Sequence, residues 1–259
     1  MIAEDIIISL IKDFFIRYGI RYSEHLDCQR WLIHYFNFRL KYIGASKREV
    51  KISLELKSKQ LDFNTNKAFN SIIFNANHGI DLNSFQSKKS FDSDYDDDLF
   101  NDWGIHHLHL NGHKTNPKAF FYDRSNLLLF AKFTETTAYF IDIGQHNEKP
   151  LWGKRELISI IQNNWNDELL KDKEVGHTIY PDFNDVDIEI LRKKGYLFGI
   201  NVNGKSYMLL GHGYACSGDN MMATQMTNDT ASWVWKNKDL YESDSELFKN
   251  EMKRLLYLR

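Results

Sequence analysis

Apolar and polar positions divide the chain into a helical first part and a mixed second part. In residues 3–18, Ile6, Ile7, Leu10, Ile11, Phe14 and Phe15 recur at spacings of three and four, which predicts an amphipathic helix closing near Gly19. Ser23 and Glu24 open a second such run that continues to Ile43, with Trp31, Leu32, Tyr35 and Phe36 facing inward. Asn64 is placed to cap a third helix over 65–77, closed by Gly79. Residues 84–98 are polar and acidic and predict an exposed, mobile loop.

From Trp103 the period shortens toward two. Strands are predicted over 105–111, 126–133 and 136–143, the last two joined by Thr134-Glu135 as a hairpin. A helix follows over 153–170, with Leu157, Ile158, Ile160 and Ile161 buried. A second strand pair, 195–202 and 205–211, meets at Asn203-Gly204, two residues that tolerate the positive φ of a tight hairpin turn. Residues 212–235, rich in Gly, Ser, Thr and Met, are expected to be irregular, and 243–257 to form a last helix. The expected class is α+β: a helical N-terminal section, residues 1–99, then an α+β domain, residues 100–259, built on a mostly antiparallel sheet with flanking helices. No linker separates them.

The chain has 259 residues, 42% of them hydrophobic and 14% aromatic, which is ample for a sizeable core. A net charge of −2 gives no global attraction to nucleic acid or anionic membrane, so any such contact must come from a local patch. The two cysteines, Cys28 and Cys216, match no zinc spacing and read as free thiols in a reducing compartment. Glu4, Asp5, Lys12 and Asp13 interrupt the apolar start, so neither a signal peptide nor a membrane span is expected, and a cytoplasmic location follows. Few prolines with many Asn, Lys and Ile suggest a low-GC bacterial or phage-related source.

Chemistry concentrates in one place. Five of the ten histidines lie between His106 and His146, three of them in the strand His106-His107-Leu108-His109. Side chains two apart share a strand face, so His107 and His109 stand about 6–7 Å apart on the side of Ile105, opposite His106, Leu108 and Leu110. If 126–133 and 136–143 pair about their turn, Arg124, Asp142 and His146 meet at one open end. Two imidazoles and a guanidinium suit phosphodiester cleavage without a metal: one histidine takes the 2′-hydroxyl proton, another protonates the leaving oxygen, and Arg124 stabilises the charge on phosphorus. The alternatives remain open. His107, His109 and His113 form an H-x-H-x-x-x-H run that could hold zinc or manganese in a hydrolase, although Asn111 stands where the H-x-H-x-D-H pattern of metallo-β-lactamase-like enzymes wants Asp. The histidines could equally be structural in a non-enzymatic binding or antitoxin-like module.

Three weaker features complete the inventory. Gly211 to Asp219 is a glycine-rich loop containing His212, Cys216 and Ser217, but it matches no P-loop or dinucleotide pattern. The run Asp92–Asp98 lacks the spacing of a calcium loop. Lys47, Arg48, Lys51, Lys57 and Lys59 form a local positive stretch able to follow a phosphate backbone, diluted by Glu49 and Glu55.

His107-Leu108-His109-Leu110-Asn111-Gly112, then Arg124 leading Leu127-Leu128-Leu129-Phe130, then Tyr139-Phe140-Ile141-Asp142-Ile143-Gly144-Gln145-His146, resembles the sheet of the RelE-like bacterial toxins over about forty residues. That resemblance implies a small α+β fold cleaving messenger RNA without a metal, with Arg124 at the phosphate and His146 as an acid–base group. The chain is longer than members of that family, lacks their basic surface, and carries a 106–109 cluster that is not one of their hallmarks. The expectation is therefore a bacterial toxin or phage-defence ribonuclease using His107, His109, Arg124 and His146, needing no cofactor. RNA or the ribosome would be its target and an antitoxin or defence protein its partner, with no membrane role.

Overall fold

The computed structural model describes residues 2–146, 155–196, 198–209 and 212–258. Its elements, in chain order, are α1 (Ile2–Tyr18), α2 (Cys28–Lys41), β1 (Glu49–Ile52), α3 (Leu54–Lys57), α4 (Phe63–His78), α5 (Asp98–Trp103), β2 (His106–His109), β3 (Leu127–Phe133), β4 (Thr137–Gln145), α6 (Arg155–Leu169), β5 (Glu174–Val175), α7 (Asp185–Lys193), β6 (Ile200–Val202), β7 (Lys205–Tyr207), α8 (Met221–Lys236), α9 (Lys238–Ser243) and α10 (Ser245–Leu255). The class is α+β. No helix among the described residues is long and apolar enough to cross a membrane.

The residues group into two compact units, and the division does not fall near residue 99. One unit combines residues 1–41, 89–96 and 217–259; the other combines 42–88 and 97–216. The split expected from sequence followed the change of period, but β1, α3 and α4 belong with the sheet, and the C-terminal helices belong with α1 and α2.

In the first unit, α2 packs on α1 and α8, and α1 on α10. Phe14, Phe15, Tyr22, Trp31, Tyr35 and Phe38 form a network of ring contacts. The second helix begins at Cys28 rather than Ser23 because Asp27 caps it, its carboxylate accepting from Arg30 N at 2.8 Å. Arg30 Nη1 donates to both carboxylate oxygens of Asp219 at 2.7 Å. The stretch 212–235 is not irregular throughout: α8 occupies most of it, started by Asn220, whose side chain accepts from Ala223 N. Its threonines misled the composition reading. Thr227 and Thr230 donate to the carbonyls four residues back and so fit inside the helix. The expected last helix is α10, capped by the Asp244 carboxylate, and the short α9 precedes it.

The second unit is built on a sheet of order β1-β4-β3-β2, with β1 parallel to β4 and the other pairs antiparallel. Its long hairpin strands are buried on both sides. Phe130, Leu128, Ile141 and Tyr139 join α5, α6 and the smaller sheet β5-β7-β6 in one core, while Leu129, Ala131, Ala138 and Phe140 join α4 in another. The β6–β7 turn has Asn203 and Gly204 at φ 46° and 78°, as that dipeptide predicts. Asp62 rather than Asn64 caps α4, and Gly79 ends it at φ 69°.

Two surface stretches carry more structure than their composition suggests. Residues 84–98 are not simply an exposed loop: Ser87, Ser90, Ser93 and Asp97 are buried, and short 3-10 turns form at Asn83–Phe85 and Lys88–Phe91. The basic stretch is a charged face, part of it tied down. Arg48 is buried and donates to the carbonyls of Thr134, Gly44 and Ser46, Lys51 pairs with Glu168, and Lys59 with Asp142.

Ser53 ties α3 to the sheet. Its buried Oγ donates to Ile141 O at 2.6 Å and accepts from Leu56 N at 2.9 Å. Ser53→Ala removes a cap and leaves a buried carbonyl with one partner fewer, so urea unfolding should show a loss of about 1–2 kcal/mol.

Candidate functional site

The site is assembled by two registers. Across β2 and β3, His107 stands opposite Phe130 and His109 opposite Leu128; across β3 and β4, Leu127 stands opposite Gln145. His146 N donates to Asn126 O at 2.7 Å, and Leu110 N to Leu127 O at 3.1 Å, so pairing continues past the strand ends on both sides of β3. The segment entering β3 is thereby held between His109 and His146, and Arg124 belongs to that segment.

Arg124 Nη2 donates to His146 Nε2 at 3.2 Å. A guanidinium can only donate, so Nε2 presents its lone pair and the ring is neutral in this arrangement. The rings of His146 and His109 are nearly parallel, 10° apart, with centroids 6.2 Å from each other. His109 Nδ1 faces the Ser125 backbone, 3.1 Å from its carbonyl and 3.2 Å from its N–H. Exposure falls along the series: Arg124 is exposed, His146 half-buried and His109 only 2% exposed. His109 Nε2 is buried with no hydrogen-bond partner among the described residues. Desolvation, and then the nearby His107, Arg124 and His146, push His109 down to about 4, against a partial offset from the Ser125 carbonyl.

His107 does not join this group directly. It is 7% exposed, and its Nδ1 lies 3.1 Å from Asp97 Oδ2, the carboxylate that also caps α5 by accepting from Phe100 N. His106, on the opposite face, sits edge-on between the rings of Phe100 and Phe133. Asp142 is also placed elsewhere. A bulge opposite Phe130 sets it in the row His107–Phe130–Asp142, two strands from the histidine, where it pairs with Lys59 at 2.6 Å. His113 is exposed and lies 3.8 Å from Asp123. The three-ligand set His107, His109 and His113 is therefore not assembled, and among the described residues no three His, Cys, Asp or Glu side chains are grouped to hold a metal.

No protein-family model, curated protein or solved structure matches the chain.

The end of β4, Ile143 to Gln145, lines a recess of about 590 Å³ together with Lys59, Leu61 and Leu127. Sequence reasoning placed Arg124 and His146 at one end through hairpin pairing alone. It did not single out Ser125, which holds His109, or Asp97, which holds His107. Asp97 carried a readable sign, lying one residue before a helix whose third residue is Phe100, but the acidic run around it hid its capping role.

The His109 shift predicts acid lability. Folded His109 titrates near 4 and the unfolded chain near 6.5, so below about pH 6.5 the unfolded chain takes up a proton that the folded one refuses. Stability that is complete above this range should fall as pH drops from 6.5 to 4, by at most about 3 kcal/mol from this group. His212, also pushed down to about 4 by burial, adds to the same window. Urea midpoints for wild type and His109→Gln between pH 7 and pH 4 should converge as the pH falls; parallel curves would contradict the assignment.

Proposed function

We propose that the chain is an endoribonuclease of toxin or phage-defence type, cleaving RNA without a metal at His146 and Arg124. The observation that carries this reading is the exposed Arg124 guanidinium 3.2 Å from the half-buried, lone-pair-bearing Nε2 of His146. His146 takes the proton of the ribose 2′-hydroxyl, the 2′-oxygen attacks phosphorus, and Arg124 stabilises the charge on the non-bridging oxygens. The 5′-oxygen leaves with a proton from water, and the product ends in a 2′,3′-cyclic phosphate. His107 and His109 take supporting roles here, because both are buried and His109 is neutral near pH 7. His109 orients His146 through the parallel ring contact, and His107 anchors β2 to the start of α5. The 590 Å³ recess at the end of β4, lined by Gln145 one residue before His146, has the volume for a nucleotide. The toxin or defence context rests on the resemblance to RelE-like toxins and implies a neutralising or cooperating protein partner.

The same burial favours a second reading, a binding module whose histidines serve stability alone. The two separate in one assay of the purified chain with single-stranded RNA in excess chelator. The nuclease reading expects cleavage to a cyclic phosphate end, no cleavage of DNA, a loss of about 10²–10⁴-fold in His146→Ala, and a loss of about 10²–10³-fold in Arg124→Ala. Intact RNA, or activity indifferent to both substitutions, rejects it.

A further inference from the structure

Helix α4 carries two stripes at helical spacing. Phe69, Ile72 and Ala76 are buried in one core with β4. The other stripe faces solvent: Phe63, Asn66, Lys67, Asn70 and Phe74. Phe63 is 83% exposed and Phe74 54%. Eleven residues, about three turns, separate them, so they share a face about 16 Å apart along the axis. Between them Asn66, Lys67, Asn70 and Ser71 line a recess of about 460 Å³. Rings exposed singly are ordinary on a protein surface, but two that bracket one recess mark a contact face.

The chemistry of this face is one-sided. No Asp or Glu occurs in α4, whose five asparagines outnumber every other residue type in it. Lys67 makes no ion pair among the described residues. The flanking carboxylates are engaged: Asp62 caps the helix, and Asp81 accepts from Asn83 N at 2.6 Å and from the Tyr42 hydroxyl at 3.3 Å. The exposed Lys47 packs beside Gly79 at the far end. Asn70 Nδ2 donates to Asn66 Oδ1 at 3.3 Å, which sets the two amides side by side. Phe74 stacks on His78, with ring centroids 4.0 Å apart and planes 25° apart, and His78 Nδ1 donates to Phe74 O at 2.8 Å. The two rings are thereby held as one aromatic surface.

We propose that this face of α4 binds single-stranded RNA, a choice of polymer that rests on the nuclease reading above and deepens it. Exposed rings take unpaired bases by stacking, and a duplex hides the base faces they need. Each asparagine amide offers both a donor and an acceptor, which matches the edges of bases. Lys67 and Lys47 supply cations for the backbone, with no carboxylate of α4 to repel it. Amides rather than leucine or isoleucine fill the space between the rings, which favours base edges over an apolar protein contact. Lys59 to Asp62 line the recess at the end of β4 and Phe63 follows at once, so the strip begins beside that recess.

Fluorescence anisotropy of the full chain with a short labelled 2′-O-methyl RNA in excess chelator tests it, because that probe has no 2′-hydroxyl to cleave. Phe63→Ala and Phe74→Ala should each weaken binding about 5-fold or more. Lys67→Ala should reduce the slope of log affinity against log salt by about 0.7. All three variants should melt with wild type, since the side chains they remove are exposed. The same sequence presented as a duplex should bind more weakly. The proposal is overturned if the single strand is not bound, if the duplex binds as tightly, or if both ring variants bind as wild type does. A dimer seen by sedimentation that Phe74→Ala dissolves, with no RNA bound, overturns it in favour of a second copy of the chain. A bound probe with ordinary RNA left intact rejects cleavage and keeps the α4 face. Cleavage of ordinary RNA with the probe bound equally by both ring variants rejects the α4 face and keeps the nuclease.

Discussion

Pairing of β3 with both its neighbours is the constraint on which the sheet unit depends. β3 lies between β2 and β4, and its side chains feed both cores, Leu128 and Phe130 on one side and Leu129 and Ala131 on the other. A strand buried on both faces has its register fixed from both sides, since a one-residue slip would exchange the two sets. The same pairing runs on past the strand ends to Leu110 and His146. It therefore also decides which residues meet at the mouth of the hairpin. Arg124 and His146 are neighbours because the hairpin is in register, and His109 joins them because the edge strand is.

Burial then sorts the histidines by what they can do. A ring that has lost its water and gained only backbone contacts, as His109 has, stays neutral and holds its neighbours in place. A half-buried ring beside an exposed guanidinium, as in His146, keeps a lone pair within reach of solvent. Density of histidine in a sequence is thus a poor measure of catalytic density. Of the three in β2, one lies among aromatic rings, one on a capping carboxylate and one against a backbone segment.

Four side chains from separate segments are held at α5 and its cap. Asp97 at its start holds His107, Asp98 takes the Tyr214 hydroxyl, Asp102 takes Arg192, and the carbonyl of Trp103 takes Lys132. Gly104 ends it at φ 66° and turns the chain directly into β2. An acidic stretch that resembles solvated loop in composition serves instead as the anchor for Arg192, Lys132 and one imidazole.

Local pattern by itself determined the α+β class, the 126–143 hairpin, the Asn203-Gly204 turn, the first helix, and the meeting of Arg124 with His146, because each rests on period or turn chemistry within a short window. The limits of pattern show in particular residues. Asn220 and Asp27 start helices from positions that composition had left inside a loop or a helix, and Thr227 sits in a helix by returning its hydroxyl to a carbonyl. Only the tertiary structure decided that β1 joins the sheet, that Asp142 turns to Lys59 rather than to the imidazoles, and that His107 and His109 are closed off from solvent. Those outcomes depend on which distant segment covers which face, and burial and the field of remote charges leave no trace in the spacing of residues along a chain.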